Sequence, residues 1–313
     1  MNEATLSEPL KRETGNVAPS ISACVLVDGH EVFCHQPDRV YDLASVTKVL
    51  CTTELAIRMV DDGRLPLDAH HPLWQPGITT RLLLQHTAGC LWWKELWRAG
   101  DRAAIVRAAL SEPLVTPPGR EHTYSDLGFL TLGAAIEAIG GARIDALFTE
   151  MAPDAAARVT WGHGEAQPTE NGLQGIVHDD NARAMGGVAA HAGLFGTARA
   201  VASIAARWLD GRVPLASIAF TTLGKGSHRL GWDSPSGAIS SAGPRPPADA
   251  VGHTGFTGTS VWLSPSRRTV AVLLTNRVAY GRDPARIRGL RHEWHQTVWD
   301  EVGEQLPPPG VAR

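Results

Sequence analysis

Strand-forming runs lie only near the two ends of this chain, and that distribution constrains its fold more than any other feature. Near the start, residues 20–27 and 31–34 flank Asp28-Gly29, the signature of a hairpin with a tight turn. Near the end, residues 259–263 and 269–275 are β-rich and flank 264–268, a second hairpin. Residues 52–209 read as mostly helical with Pro and Gly breaks, and 284–302 close the chain with a helix. The expectation is an α+β fold in which both ends build one antiparallel β-sheet flanked by helices, with a mostly helical lobe inserted. On this reading residues 1–51 and 215–313 form the sheet lobe, 52–214 the helical lobe, and an active site lies between them. No internal repeat is visible. Residues 224–249 are polar and rich in Gly and Pro, and 237–250 read as a loop over a cleft.

Three short words supply chemistry. The first is Ser45-Val46-Thr47-Lys48, in which a lysine one helical turn along lies on the same face as a serine. Serine is a poor nucleophile until a base takes its proton. Of 29 basic residues only Lys11, Lys48, Lys94 and Lys225 are lysines, so arginine supplies generic positive charge here. Arginine stays protonated in proteins, whereas a buried lysine can titrate, which marks Lys48 for proton chemistry. A helix is expected over 45–60, stopped by Asp61-Asp62-Gly63, with Ser45 in its first turn, where the helix dipole favours negative charge. An N-cap role is the plainer alternative for Ser45.

The second word, Tyr124-Ser125-Asp126, precedes an apolar helix at 127–139. A phenol beside an ammonium can have its pKa lowered and serve as general base or proton shuttle, and Asp126 reads as the N-cap of the helix. The third, His253-Thr254-Gly255, opens a glycine-spaced strand of the kind that lets a ligand lie close to backbone.

These words, together with Asp42-Leu43-Ala44 before Ser45, Leu82-Leu83-Leu84-Gln85-His86-Thr87-Ala88-Gly89, and Phe256-Thr257-Gly258 after the third, resemble the serine β-lactamase and penicillin-binding-protein superfamily. The likeness is greatest to its branch of class C β-lactamases, DD-peptidases and family VIII esterases, and it covers residues 20–300. It implies a β-lactamase/transpeptidase-like fold, with Ser45 as acylated nucleophile and Lys48 and Tyr124 as the proton-transfer pair. It also implies an oxyanion hole from the backbone amides of Ser45 and a residue just after Gly255. Asp126, His253, Thr254 and Gly255 then face substrate. Two departures turn the expectation away from β-lactams: His253 stands where penicillin-recognising members carry lysine, and Asp126 where many carry asparagine. An imidazole with an ordinary pKa gains charge only as pH falls toward about 6, so carboxylate-bearing cephalosporins should be poor substrates that improve in that direction.

Composition agrees with an enzyme. The chain has 313 residues, 43% of them hydrophobic, enough for a large core. A net charge of -3 offers no basic surface for nucleic acid or anionic lipid. Residues 1–17 are polar and lack an apolar leader core, and no run is long enough to span a bilayer. The cytoplasm is the expected location, or the periplasm if the true N-terminus differs. Cys24, Cys34, Cys51 and Cys90 have no metal-ligand spacing and read as buried thiols, with Cys24 and Cys34 able to face each other across the first hairpin.

His178-Asp179-Asp180-Asn181 and His191 read as loop-bracing groups rather than ligands, so neither metal nor organic cofactor is expected. His292-Glu293-Trp294-His295 lacks zinc-protease spacing and reads as a surface helix. Ten tryptophans outnumber six phenylalanines, and Trp92, Trp93 and Trp97 follow the Gly89-Cys90 turn, where they form either core or a substrate wall. The function expected is an acyl-enzyme serine hydrolase acting on a small-molecule ester, amide or muropeptide, of esterase, amidase or peptidase type. A true β-lactamase is the alternative within the class, and a non-hydrolytic penicillin- or muropeptide-binding sensor the alternative outside it.

Overall fold

The structure is a computed structural model, described over residues 1–305. Numbered along the chain, the strands are β1 Ile21–Val27, β2 His30–His35, β3 Tyr41–Asp42, β4 Phe195–Gly196, β5 Val251–Thr254, β6 Ser260–Ser264 and β7 Thr269–Thr275. Five form one antiparallel sheet in the order β2-β1-β7-β6-β5. The two ends of the chain meet at β1 and β7, where Ile21 pairs with Thr275 and Val27 with Thr269. The remaining pair, β3 with β4, ties the segment before Ser45 to the middle of the chain.

Strands β1, β6 and β7 are buried on both faces while the edge strand β2 is largely exposed, and side-chain alternation sorts the buried residues between two layers. Ala23, Val25, Ala271 and Leu273 point outward against helix α1 (Glu3–Glu13) and the last helix, Ala285–Gln305. Cys24, Leu26, Val270, Val272 and Leu274 point inward to the larger core shared with the inserted helices. Burial on both faces explains why β7 reads as an almost unbroken apolar run.

Helix α1 departs from the plain polar segment expected at the start. Leu6 and Leu10, spaced one turn apart, are fully buried in the outer layer, a sparse pattern interrupted by Pro9. The last helix is also no surface element at its middle. Trp294 and His295 are completely buried, Trp294 Nε1–H donates to the Leu6 carbonyl (3.2 Å), and the His295 ring meets Ser260 Oγ (3.0 Å). Residues 240–245, expected over a cleft, are pinned to this helix on the outer layer instead. Trp299 Nε1–H donates to the Ala242 carbonyl at 2.7 Å, and Gln296 Oε1 accepts from the Arg245 amide at 2.7 Å.

The helical run after β3 forms, but in three windings. A 3-10 turn at Ala44–Val46 passes into a π segment at Lys48–Thr52 and then into helix α2 at Thr53–Asp61. Such irregular windings recur at functional sites. Ser45 is therefore inside a tight turn and is not an N-cap. Cys24 and Cys34 face each other in the β1–β2 register, with sulfurs 2.8 Å apart and both thiols free. Among the described residues no single helix is long and apolar enough to cross a membrane.

Because Trp294 fills the outer layer with no exposed surface, Trp294→Ala should lower the unfolding free energy by about 3–5 kcal/mol. Urea denaturation followed by circular dichroism measures it; a loss below about 1 kcal/mol would show that the outer layer does not depend on this ring.

Candidate active site

Lys48 is fully buried, and its Nζ is ringed by oxygens. Ser45 Oγ lies at 2.9 Å, the His191 carbonyl at 3.1 Å and Asp126 Oδ1 at 2.6 Å, and the Tyr124 ring stands 5.0 Å away. Two hydrogen bonds and the ion pair to Asp126 support the charged form of an ammonium that has three N–H donors. Burial by itself would depress the lysine, but the Asp126 carboxylate and the Tyr124 oxygen outweigh it and leave the pKa raised.

Tyr124 sits beside Lys48, its ring 5.0 Å from Lys48 Nζ, close enough for Lys48 and Ser45 both to act on its hydroxyl. The expectation that the ammonium would lower its pKa is reversed. Burial is the larger effect and raises the phenol, with Lys48 only partly offsetting it. In the free protein, then, lysine and tyrosine both hold their protons. The base form of the pair is one deprotonation away.

Helix α3, Asp126–Gly140, starts next to Tyr124, and its cap is Ser125 rather than Asp126. Ser125 Oγ accepts from the Gly128 amide at 2.9 Å and donates to the Leu91 carbonyl at 2.6 Å. Asp126 is thereby free to face Lys48. Its amide donates to the Trp92 carbonyl at 2.9 Å, which fastens the tryptophan segment to the site. Trp92 is 60% exposed and Trp93 and Trp97 are half-buried, so none is core. Their rings follow one another at 5.8 and 5.6 Å.

The nucleophile candidate is positioned by backbone. Ala44 has φ +47, a left-handed conformation that costs an ordinary residue of order 1–3 kcal/mol. Buried Asp42 holds it: Oδ1 accepts from the Ala44 amide (2.8 Å) and Oδ2 from the His178 amide (2.7 Å). Burial still pushes this carboxyl up to about 6. Thr257 and Thr259 donate to the carbonyls of Asp42 and Leu43 at 2.8 and 2.9 Å, binding the loop after β5 to the same turn. Gly255 makes that approach possible, since a Cβ there would stand 2.6 Å from the Leu43 carbonyl and 2.1 Å from Thr259 Oγ1. Thr254 is partly exposed at the end of β5, which packs against the turn that carries Ser45.

His253 is buried, with Nδ1–H donating to the Thr254 carbonyl (2.9 Å) and its ring 5.9 Å from Tyr124. Burial, with Lys48 and His228 adding to it, holds the imidazole well below its ordinary pKa. The gain of charge near pH 6 expected from sequence therefore does not occur. Three residues absent from the sequence-based site complete a histidine cluster around Tyr124. They are His86, His122 and His228, of which His228 is pushed down to about 3 by burial and His122. Only His86 had a signal, inside the Leu82–Gly89 word. The His178 and His191 loop braces the site: His191 Nε2 meets Asp179 Oδ1 at 2.8 Å while its carbonyl faces Lys48.

A serine, a buried lysine and a tyrosine meeting beside an antiparallel sheet is the layout of a serine hydrolase that works through an acyl-enzyme. Residues 10–293 match the Beta-lactamase family, and the chain belongs to it. N-acetylmuramyl-L-alanine amidase from Bacillus subtilis (strain 168) is 27% identical, over 76% of this chain and 68% of that protein. A putative D-alanyl-D-alanine carboxypeptidase of Escherichia coli (strain K12) is 26% identical, over 76% of this chain and 69% of its own length. Among solved structures, a beta-lactamase from Mycobacterium bovis superposes with a TM-score of 0.70 at 21% identity, covering 94% of this chain and 99% of that one. EstCE1, a hydrolase with promiscuous acyltransferase activity, does so with 0.70 at 18%, covering 93% and 99%. These two likenesses bear on the fold.

Asp126→Asn should move the acid limb of the kcat/KM profile to lower pH. Removing the carboxylate removes what raises Lys48, and the same charge raises Tyr124, so the deprotonated pair appears at lower pH in the variant. Profiles of both proteins on one neutral ester check this; an unmoved or oppositely moved limb would show that Asp126 does not set the pair's titration.

Proposed function

We propose that this chain is an esterase, amidase or peptidase in which Ser45 is acylated and Lys48 with Tyr124 moves the protons. The observation that carries the reading is Lys48 Nζ at 2.9 Å from Ser45 Oγ, with the Tyr124 ring 5.0 Å from the same Nζ. After the pair has lost one proton to solvent, it accepts the Ser45 hydroxyl proton as Oγ bonds to the carbonyl carbon. The amides of Ser45 and Phe256 hold the oxyanion. Collapse expels an alcohol or amine, which leaves with the proton the pair had taken. Water repeats the sequence on the acyl-enzyme and restores Ser45.

The surroundings favour substrates that are neutral next to the scissile bond. His86, His228 and His253 are all held neutral by burial. The nearby arginines are committed elsewhere: Arg291 to the carbonyls of Gly255 and Thr259, Arg277 to that of Phe256, and Arg282 to Glu170. Lys48 has its own partners. The exposed rings of Trp92 and Phe256 and the half-buried Trp93 are what remains for recognition. The amidase named among the relatives supports a muropeptide amide as one such substrate.

A fluorophosphonate should label the protein, and Ser45→Ala should abolish labelling. Ser45→Ala, Lys48→Ala and Tyr124→Phe should each lower turnover of nitrophenyl esters by several powers of ten, because a proton-transfer unit fails as a whole. Near-full activity in Tyr124→Phe beside a dead Lys48→Ala would make Lys48 the sole base. Binding of muropeptide without any turnover would favour a sensor.

Trp93→Ala should raise KM more than it lowers kcat, as expected for a wall that touches substrate equally in ground and transition states. A pure loss in kcat would place the ring at the chemistry instead. Cephalosporins should be turned over poorly, with no gain between pH 8 and about 6, since His253 stays neutral throughout that window. Efficient cephalosporin turnover would make β-lactamase the primary reading.

A further inference from the structure

We propose that His86 is a positioning residue for Tyr124, clamping the chain on both sides of the phenol. The Thr123 amide donates to the His86 carbonyl at 2.8 Å. The Ser125 amide donates to His86 Nδ1 at 3.0 Å. One residue thus holds Thr123, before Tyr124, through its backbone and Ser125, after it, through its side chain. The His86 ring also packs on the Tyr124 ring at a centroid distance of 4.5 Å, and is backed by Phe129 at 5.1 Å. His86 itself is held at φ +56, so that its carbonyl and its ring turn toward the same loop.

The same hydrogen bond decides what the histidine cluster is. His86, His228 and His253 each bring a ring nitrogen within 4.8 Å of the others, a grouping that suits a metal ion. Yet the Nδ1 lone pair of His86 is taken by the Ser125 amide, so the proton of the neutral ring sits on Nε2. A protonated Nε2 is not a ligand. Two lone pairs at most remain, and the cluster serves to pack Tyr124 and order its loop. A tyrosine hydroxyl that must reach Ser45 and Lys48 together tolerates little displacement, and a misplacement near 1 Å costs about 10²-fold in rate.

The inference rests on the reading of Tyr124 as part of the proton-transfer pair, and a double-mutant cycle separates the two. His86→Phe keeps a ring but loses the acceptor at Nδ1. In the full chain it should lower kcat about 10²-fold with KM changed far less. In a Tyr124→Phe background it should cause almost no further loss, because what it positions is already gone. His86→Asn places Oδ1 where Nδ1 stands and tolerates a left-handed backbone, so it should keep kcat within about tenfold of the parent. An equal loss from His86→Phe in both backgrounds would overturn the clamp, as would a His86→Asn variant as impaired as His86→Phe. If His86→Phe does not fold, His86→Asn decides alone: retained turnover supports the acceptor role, and a loss above about 10²-fold rejects it. Full activity in Tyr124→Phe by itself would sink the proposed role of Tyr124 and the clamp together, whereas additivity sinks only the clamp.

Discussion

A single ammonium group, sealed from water, sets the terms for the rest of this molecule. An unpaired buried charge costs several kcal/mol, so Lys48 can be charged only if oxygens arrive from elsewhere in the fold. They come from three places: the turn that carries Ser45, the start of helix α3, and the loop that ends at β4. Those segments are far apart in sequence and converge only once the sheet and the inserted helices have packed. On the proposed mechanism, proton chemistry at Ser45 and the stability of the core are consequently coupled. Asp126 gives the coupling its sign, because the carboxylate that makes burial tolerable also keeps the lysine protonated at rest.

The second constraint is the backbone around Ser45. A left-handed alanine is unfavourable, and here it is held by Asp42 below and by two threonine hydroxyls from the loop after β5. The threonines bond two successive carbonyls leading into the turn, which ties the loop after β5 to the segment that carries Ser45. Gly255 is required because any side chain would separate them. The third sequence word thus has a structural task beyond recognition: its glycine and the threonines that follow set the distance between the proposed oxyanion donors.

Legibility in the sequence followed the range of the interactions. The Ser45–Lys48 pair is local, spaced by helical winding, and stood out because lysine is so scarce in this chain. The strands announced themselves through β-rich composition, and their pairing followed because two terminal hairpins had only each other. Helix α1 was missed since two leucines in a polar segment carry no periodic signal until the last helix is in place to cover them. His295 and Trp294 were read as surface for the same reason. Titration was the least readable property: Tyr124 and His253 have their pKa values set mainly by burial, a sum over many distant residues. His86 lay within a quoted word, but its bond to the Ser125 amide depends on a loop that closes from the far side of the helical insertion.

These properties bear on how selective such a site can be. Recognition by a fixed charge rejects wrong partners strongly, because a buried ion left unpaired is expensive. This cleft has spent its cations on carbonyls and carboxylates of its own and presents rings instead. Discrimination by apolar contact is worth only about 1–3 kcal/mol per methylene. On the proposed reading, such a site would separate neutral esters and amides by size and shape. The reaction itself stays demanding, since the proton inventory around Lys48 and Tyr124 must be right before any of them is cleaved.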